Sequence, residues 1–124
     1  MNRRLINFIF GAILLAYGLY AGVFIAKTVF VSSDGRQFTA LFDDMMISMT
    51  YARNLAEGHG LVWYPGAERV EGFSNPLWVV FMAGFHLLPI PENWISLPLQ
   101  ISGGIFFIAS LFFLKKIAGQ AAPD

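Results

Sequence analysis

The sequence predicts an all-α membrane protein: three transmembrane helices with a partly helical outer loop between the first and second. Three observations carry that expectation. Of 124 residues 56% are hydrophobic and only 13% charged, where soluble domains carry about a quarter charged. Two runs, Leu5 to Ala26 and Ile95 to Leu114, contain no charged residue. A polar stretch separates them and holds most of the chemistry-bearing side chains. The formal net charge is zero, which offers nucleic acid no basic face. The absence of cysteine excludes disulfides, thiol catalysis and cysteine metal sites. Two histidines, His59 and His86, are too few for a histidine-rich metal cage.

The first run reaches about 33 Å as a helix, enough for a bilayer core of about 30 Å. Asn2-Arg3-Arg4 precede it. A cleaved signal peptide shares the basic start, but its apolar region is shorter and a small-x-small site follows it. The length of this run and the lack of such a site predict an uncleaved anchor over about residues 5–26. Pro76 to Ile90 is apolar but gives only about 22 Å as a helix. A start near residue 74, with Pro76 in the first turn where a missing N–H costs little, predicts a second span over about 74–90. The third span covers about 95–114. The whole chain, 1–124, reads as one membrane region with its outer loop over 27–73.

Arg3 and Arg4 hold the N-terminus in the cytoplasm by the positive-inside trend. The loop is then outside. Three spans would place Lys115 and Lys116 outside as well, against the same trend. Either that pair snorkels at the outer headgroups or segment two does not span. Gly18-x-x-x-Gly22, and Ser102-Gly103-Gly104 with Ser110, are small-residue faces suited to close helix packing.

Within the loop, Ile47, Tyr51 and Leu55 fall at i, i+4 and i+8, which predicts a helix over Phe42 to Glu57. Asp43 is placed to cap it, and Gly58 and Gly60 to end it. Leu61 to Asn75 reads as an irregular return to the membrane, with Pro65-Gly66 as a turn.

Asp43-Asp44 is the leading chemical candidate. One carboxylate can remove a proton from an attacking hydroxyl while the other orients it or holds a divalent cation. The same pair also reads as a cap and an acidic first-turn residue, and spacing alone favours that reading. Arg53 can clamp a phosphate or form a surface ion pair with Asp44 or Glu57. His59, between two glycines, reads first as a turn residue. His86 within segment two reads first as a neutral imidazole bonded to a carbonyl, with function as the alternative. Trp63, Tyr64, Trp78 and Trp94 fit an interfacial belt. Glu68-Arg69-Val70-Glu71 reads as solvated charge.

The run Phe42-Asp43-Asp44-x-x-Ile47-Ser48, then Tyr51-Ala52-Arg53-Asn54-Leu55-Ala56-Glu57-Gly58-His59-Gly60-Leu61-Val62, Pro65-Gly66 and Glu68-Arg69-Val70-Glu71-Gly72-Phe73-Ser74-Asn75-Pro76-Leu77-Trp78 resembles the first outer loop of GT-C type membrane glycosyltransferases. The similarity is to bacterial members related to the terminal arabinofuranosyltransferases of the mycobacterial cell wall. The resemblance implies sugar transfer, with inversion, from a polyprenyl-phosphate donor to a cell-envelope acceptor outside the bacterial plasma membrane. Carried over, Asp43 is the base and Asp44 its neighbour or cation ligand. Tyr51, Arg53, Asn54 and His59 are candidate substrate-binding residues. Arg53 or a divalent cation would meet the donor phosphate. GT-C enzymes have many more spans, so the expectation is an N-terminal portion that is inactive alone: a fragment, a truncated gene product, or a piece of a split enzyme whose further helices come from a protein partner. The other expectation, from Gly18-x-x-x-Gly22, is a non-catalytic membrane protein that binds lipid-linked sugar or a larger membrane partner.

Overall fold

The computed structural model describes residues 2–70 and 72–121. Glu71 of the motif run and the end at 122–124 lie outside the described residues. The chain divides into two compact units, residues 28–99 and the pair of segments 1–27 and 100–124.

The paired-segment unit is built from α1 (Arg3–Lys27) and most of α4 (Ser96–Ala121). Both are long and apolar enough to cross a membrane. α1 has no buried residue, and Phe8 is 74% exposed. An apolar surface of this extent suits lipid rather than water. The half-buried positions Ile6, Phe10, Leu14, Tyr17 and Ala21 recur every three or four residues and form one stripe. Phe10 meets Phe112 edge-on at 5.1 Å, and Tyr17 lies 4.4 Å from Phe107. Lys115 Nζ donates to Asn7 Oδ1 at 2.8 Å. Partners later on α4 meet partners earlier on α1, so the two helices run antiparallel. Tyr17 Oη faces Gly104, where a Cβ would make an ordinary contact at 3.9 Å.

The unit of residues 28–99 begins with a hairpin, which corrects the all-α expectation to a mostly helical fold. β1 (Val29–Val31) and β2 (Gln37–Thr39) pair antiparallel, with Phe30 opposite Phe38. The two rings stack at 5.7 Å, a cross-strand pair of the kind that stabilises such ladders. Gly35, at φ +80°, makes the turn. Arg36 donates from its side chain and backbone to Asp34, which holds that carboxyl below the usual carboxylate range.

α2 (Asp43–Ala56) fills the expected loop helix. The expected cap is corrected: Phe42, in extended conformation, occupies the N-cap position, and no side chain caps the helix. Met45 and Met46 N–H groups donate to the Phe42 carbonyl, so Asp43 and Asp44 are the first two helical residues. At the other end Gly58 takes φ +83°. Its N–H donates to Leu55 O and that of His59 to Asn54 O, the paired bonds of a Schellman C-cap.

α3 (Pro76–His86) opens with proline in its first turn, as expected. It has 11 residues and rises about 16 Å, so this helix is too short to cross a bilayer core by itself. Pro89 and Pro91 bias Leu88 and Ile90 away from helix, and the chain turns at Leu87. Two membrane-length helices are present among the described residues, rather than the three expected spans. A 3-10 turn, Glu92–Trp94, leads into α4.

The core lies mainly between α2 and α3, from Met49, Tyr51, Ala52, Val79, Met82 and Ala83, with Leu41, Ile95 and Leu99 closing it. Ser48 Oγ donates to Asn75 Oδ1 at 3.2 Å. Asn93 ties the hairpin to the 3-10 turn: its side chain donates to Gln37 O at 2.8 Å, and its carbonyl accepts from Thr39 Oγ1.

Candidate functional site

Asp43 and Asp44 are both exposed. Neither has a hydrogen-bond or ion-pair partner among the described residues. As neighbours on a helix they point about 100° apart. Asp43 lies on the row of Thr50, seven residues on, and Asp44 nearer the row of Ser48 and Tyr51. Thr50 faces a cleft of about 270 Å³. The α2 side of this cleft is Met46, Met49, Thr50 and Arg53; the hairpin adds Phe30 and Phe38; His86 and Glu92 close it. Asp43 therefore sits near the N-terminal end of the cleft-facing side of α2, outside the lining itself. Arg53 is ten residues further on, about 15 Å along the axis. The two can address opposite ends of an extended ligand but not one atom.

Arg53 is exposed, and its Nη1 lies 3.7 Å from Glu92 Oε1. The pairing expected with Asp44 or Glu57 is replaced by this looser contact across the cleft. At such exposure it contributes little stability, and the guanidinium keeps donors for an anion. His86 Nε2 lies 3.1 Å from Met49 Sδ, in place of the expected carbonyl. Burial first, and then the Arg53 charge, lower the His86 pKa from its ordinary value. Both effects favour the neutral imidazole, whose ring edge lines the cleft.

Tyr51 and Asn54 have structural tasks. Tyr51 is 2% exposed; its hydroxyl donates to Val70 O at 3.0 Å, and its ring meets Phe73 edge-on at 4.9 Å. Gly72 lies over that ring, where a Cβ would fall 2.5 Å from Tyr51 Oη. Asn54 is also buried, and its amide donates to both Val62 O and Trp63 O, at 2.8 and 3.0 Å. Both donors are thus committed to the chain that follows α2. His59 is exposed beyond the C-cap, 3.7 Å from Glu57, and takes no part in the cleft.

Of the predicted site residues, Arg53 lines the cleft, and Asp43 lies outside the lining, about 80° away around α2; Tyr51 and Asn54 are buried and His59 lies beyond the helix. The cleft residues Phe30, Phe38, Met46, Met49 and Glu92 did not stand out in the sequence. A signal was present, since Met46, Met49, Thr50 and Arg53 recur at i, i+3, i+4 and i+7. Among the described residues no three of His, Cys, Asp and Glu converge as metal ligands. Asp43 and Asp44 diverge by about 100° around α2.

The cleft sets the Arg53 guanidinium among apolar side chains, a setting in which its donors can meet an anionic group. The exposed carboxylate of Asp43 can accept a proton from a hydroxyl brought to it. Compared with protein-family models, curated proteins and solved structures, the chain matches none of them.

Proposed function

We propose that this chain is the N-terminal portion of a GT-C type glycosyltransferase, which transfers a sugar from a polyprenyl-phosphate donor to a cell-envelope acceptor. The observation that carries the reading is Asp43: an exposed, unpaired carboxylate in the first turn of α2, inside the Phe42–Trp78 motif run and beside a cleft holding Arg53. A sugar hydroxyl is a poor nucleophile, and a carboxylate that takes its proton as the new bond forms answers that need. Arg53 meets the donor phosphate through its planar donor fork. Asp43 is exposed and lies outside the cleft lining, so further helices, from the same or another polypeptide, complete the groove for the lipid and the acceptor.

The antiparallel pairing of α1 and α4 supports a two-span topology for this reading. It puts Arg3, Arg4, Lys115 and Lys116 at one end of the pair and Lys27 at the other. The positive-inside trend then places both ends of the chain in the cytoplasm of a bacterial cell, and residues 28–95 outside. In this two-span reading Lys115 and Lys116 lie on the same side as Arg3 and Arg4, and the 11-residue α3, short for a bilayer core, supports it.

The test is sugar transfer from labelled polyprenyl-phosphate donors, in membranes co-expressing the chain with the polypeptides that supply the remaining helices. Asp43→Asn lowers the rate by about 10²–10⁴-fold, the usual weight of a general base. An unchanged rate rules Asp43 out as the base. A second reading, a non-catalytic partner of a larger membrane protein, rests on Gly18 and Gly22, which are exposed with open space above them. It predicts that a photocrosslinker at Gly22 captures that partner and that Asp43→Asn changes nothing.

A further inference from the structure

One side of α3 is buried in the core that it shares with α2: Val79, Met82 and Ala83, with His86 half-buried beside them. Leu77, Val80, Gly84 and Leu87 fall at i, i+3, i+7 and i+10, one row along the side turned away from that core. All four are exposed, Leu77 at 84% and Leu87 at 72%. None of these side chains can form a hydrogen bond with water. From residue 73 to residue 91 the chain contains no Asp, Glu, Lys or Arg.

α2 has the opposite character where it is exposed: Asp43, Asp44, Arg53 and its C-cap Glu57 all face solvent. The helix pair is therefore charged on the exposed part of α2 and apolar on the exposed part of α3. A protein interface carries about one hydrogen bond per 100–200 Å², which the α3 row has no side chains to make. Hydrocarbon asks for none.

Hydrocarbon is also within reach. Ile95 and Leu99 share one core with Val79 and Met82. α4, which begins at Ser96, is long and apolar enough to cross a bilayer. α3 thus packs beside the first turn of a membrane-length helix. Trp78 on α3 and Trp94 just before α4 suit the headgroup layer.

We propose that α3 lies along the bilayer surface, with Leu77, Val80 and Leu87 against lipid and the charged residues of α2 in water. Its 11 residues are short for a crossing. The row enters about 5–10 Å, to the boundary between headgroups and acyl chains. The proposal rests on α4 being a membrane crossing and is independent of the glycosyl-transfer reading.

The test uses the full chain in nanodiscs of phosphatidylethanolamine and phosphatidylglycerol. The chain has no cysteine, so a nitroxide is attached at one position at a time through Leu77→Cys, Val80→Cys, Leu87→Cys and Glu57→Cys. Collisions with oxygen, which concentrates in hydrocarbon, are compared with those of a water-soluble nickel chelate. The ratio of oxygen to nickel collisions is about tenfold higher at the three α3 positions than at Glu57, because a polar solute is excluded from hydrocarbon. Ile105→Cys, within α4, reports the crossing separately and gives a ratio at least as high as the α3 positions. Circular dichroism checks the helicity of each labelled variant. A ratio on α3 equal to that at Glu57, with Ile105 still rich in oxygen collisions, overturns the proposal and leaves the crossing standing. Few collisions with either reagent on α3 overturn it too, because protein then covers the row. A water-like ratio at Ile105 removes the crossing and the proposal with it.

Discussion

Tyr51 and Gly72 show how closely the return segment is fitted to α2. The Tyr51 ring occupies the space that a side chain at position 72 would need. Gly72→Ala therefore forces a shift of ring or backbone and destabilises the fold by about 1–3 kcal/mol, as overpacking usually does. Gly84→Ala on α3 is the contrast. Nothing lies within 4 Å of a Cβ there, and alanine is favoured in a helix by up to about 1 kcal/mol. Thermal unfolding in detergent followed by circular dichroism separates the two: a lower midpoint for Gly72→Ala, an equal or higher one for Gly84→Ala. The sequence alone made Asn54 a ligand candidate, because it stands beside Arg53 in the motif run. Its partners, Val62 O and Trp63 O, belong to a chain reversal that residue spacing does not encode. Asp43 and Asp44 were legible as first-turn residues, but not the cap itself: Phe42 has no capping side chain, so its role lies in the backbone alone.

At the level of elements, periodicity succeeded where an element was long and failed where it was short. α2 was legible because Ile47, Tyr51 and Leu55 mark one face and Gly58 supplies the left-handed residue that stops it. The hairpin was not, since three-residue strands leave no alternation to count. α3 was overextended because apolar character continues through Leu87 and Leu88, while Pro89 and Pro91 end the helix before the hydropathy does. That shortened helix places His86 at the cleft, half-buried against Met49, with Arg53, Glu92 and Glu57 as the charged groups acting on it. Its lowered pKa has a thermodynamic consequence. Where the unfolded chain binds the proton more readily than the folded one, stability rises with pH. The contribution is complete above the ordinary imidazole value near 6.5 and is lost as pH falls from there towards the lower folded value. His86→Leu removes this part of the acid sensitivity. Between about pH 7.5 and 5 the melting midpoint of the wild type falls further than that of the variant; equal falls mean that His86 does not carry it.

At the scale of the whole molecule, the basic residues and two apolar runs already held the information about orientation, but the count of spans decided its meaning. With three spans Lys115 and Lys116 run against Arg3 and Arg4; in the proposed two-span topology the four agree. The pairing itself was only partly legible. Ser102-Gly103-Gly104 stood out as a packing face, whereas Tyr17 as the residue received at Gly104 required the fold. The central proposal is that α1 and α4 are the two crossings and that residues 28–95 lie on the outer side of the membrane. The chain has no native cysteine, so single cysteines report sidedness directly. Cysteines are placed at Ser33, Glu68 and Gln120 and exposed in intact cells to a membrane-impermeant maleimide. The account predicts labelling at Ser33 and Glu68, and labelling at Gln120 only after permeabilisation; reaction of Gln120→Cys in intact cells, with Ser33→Cys also accessible, would contradict it.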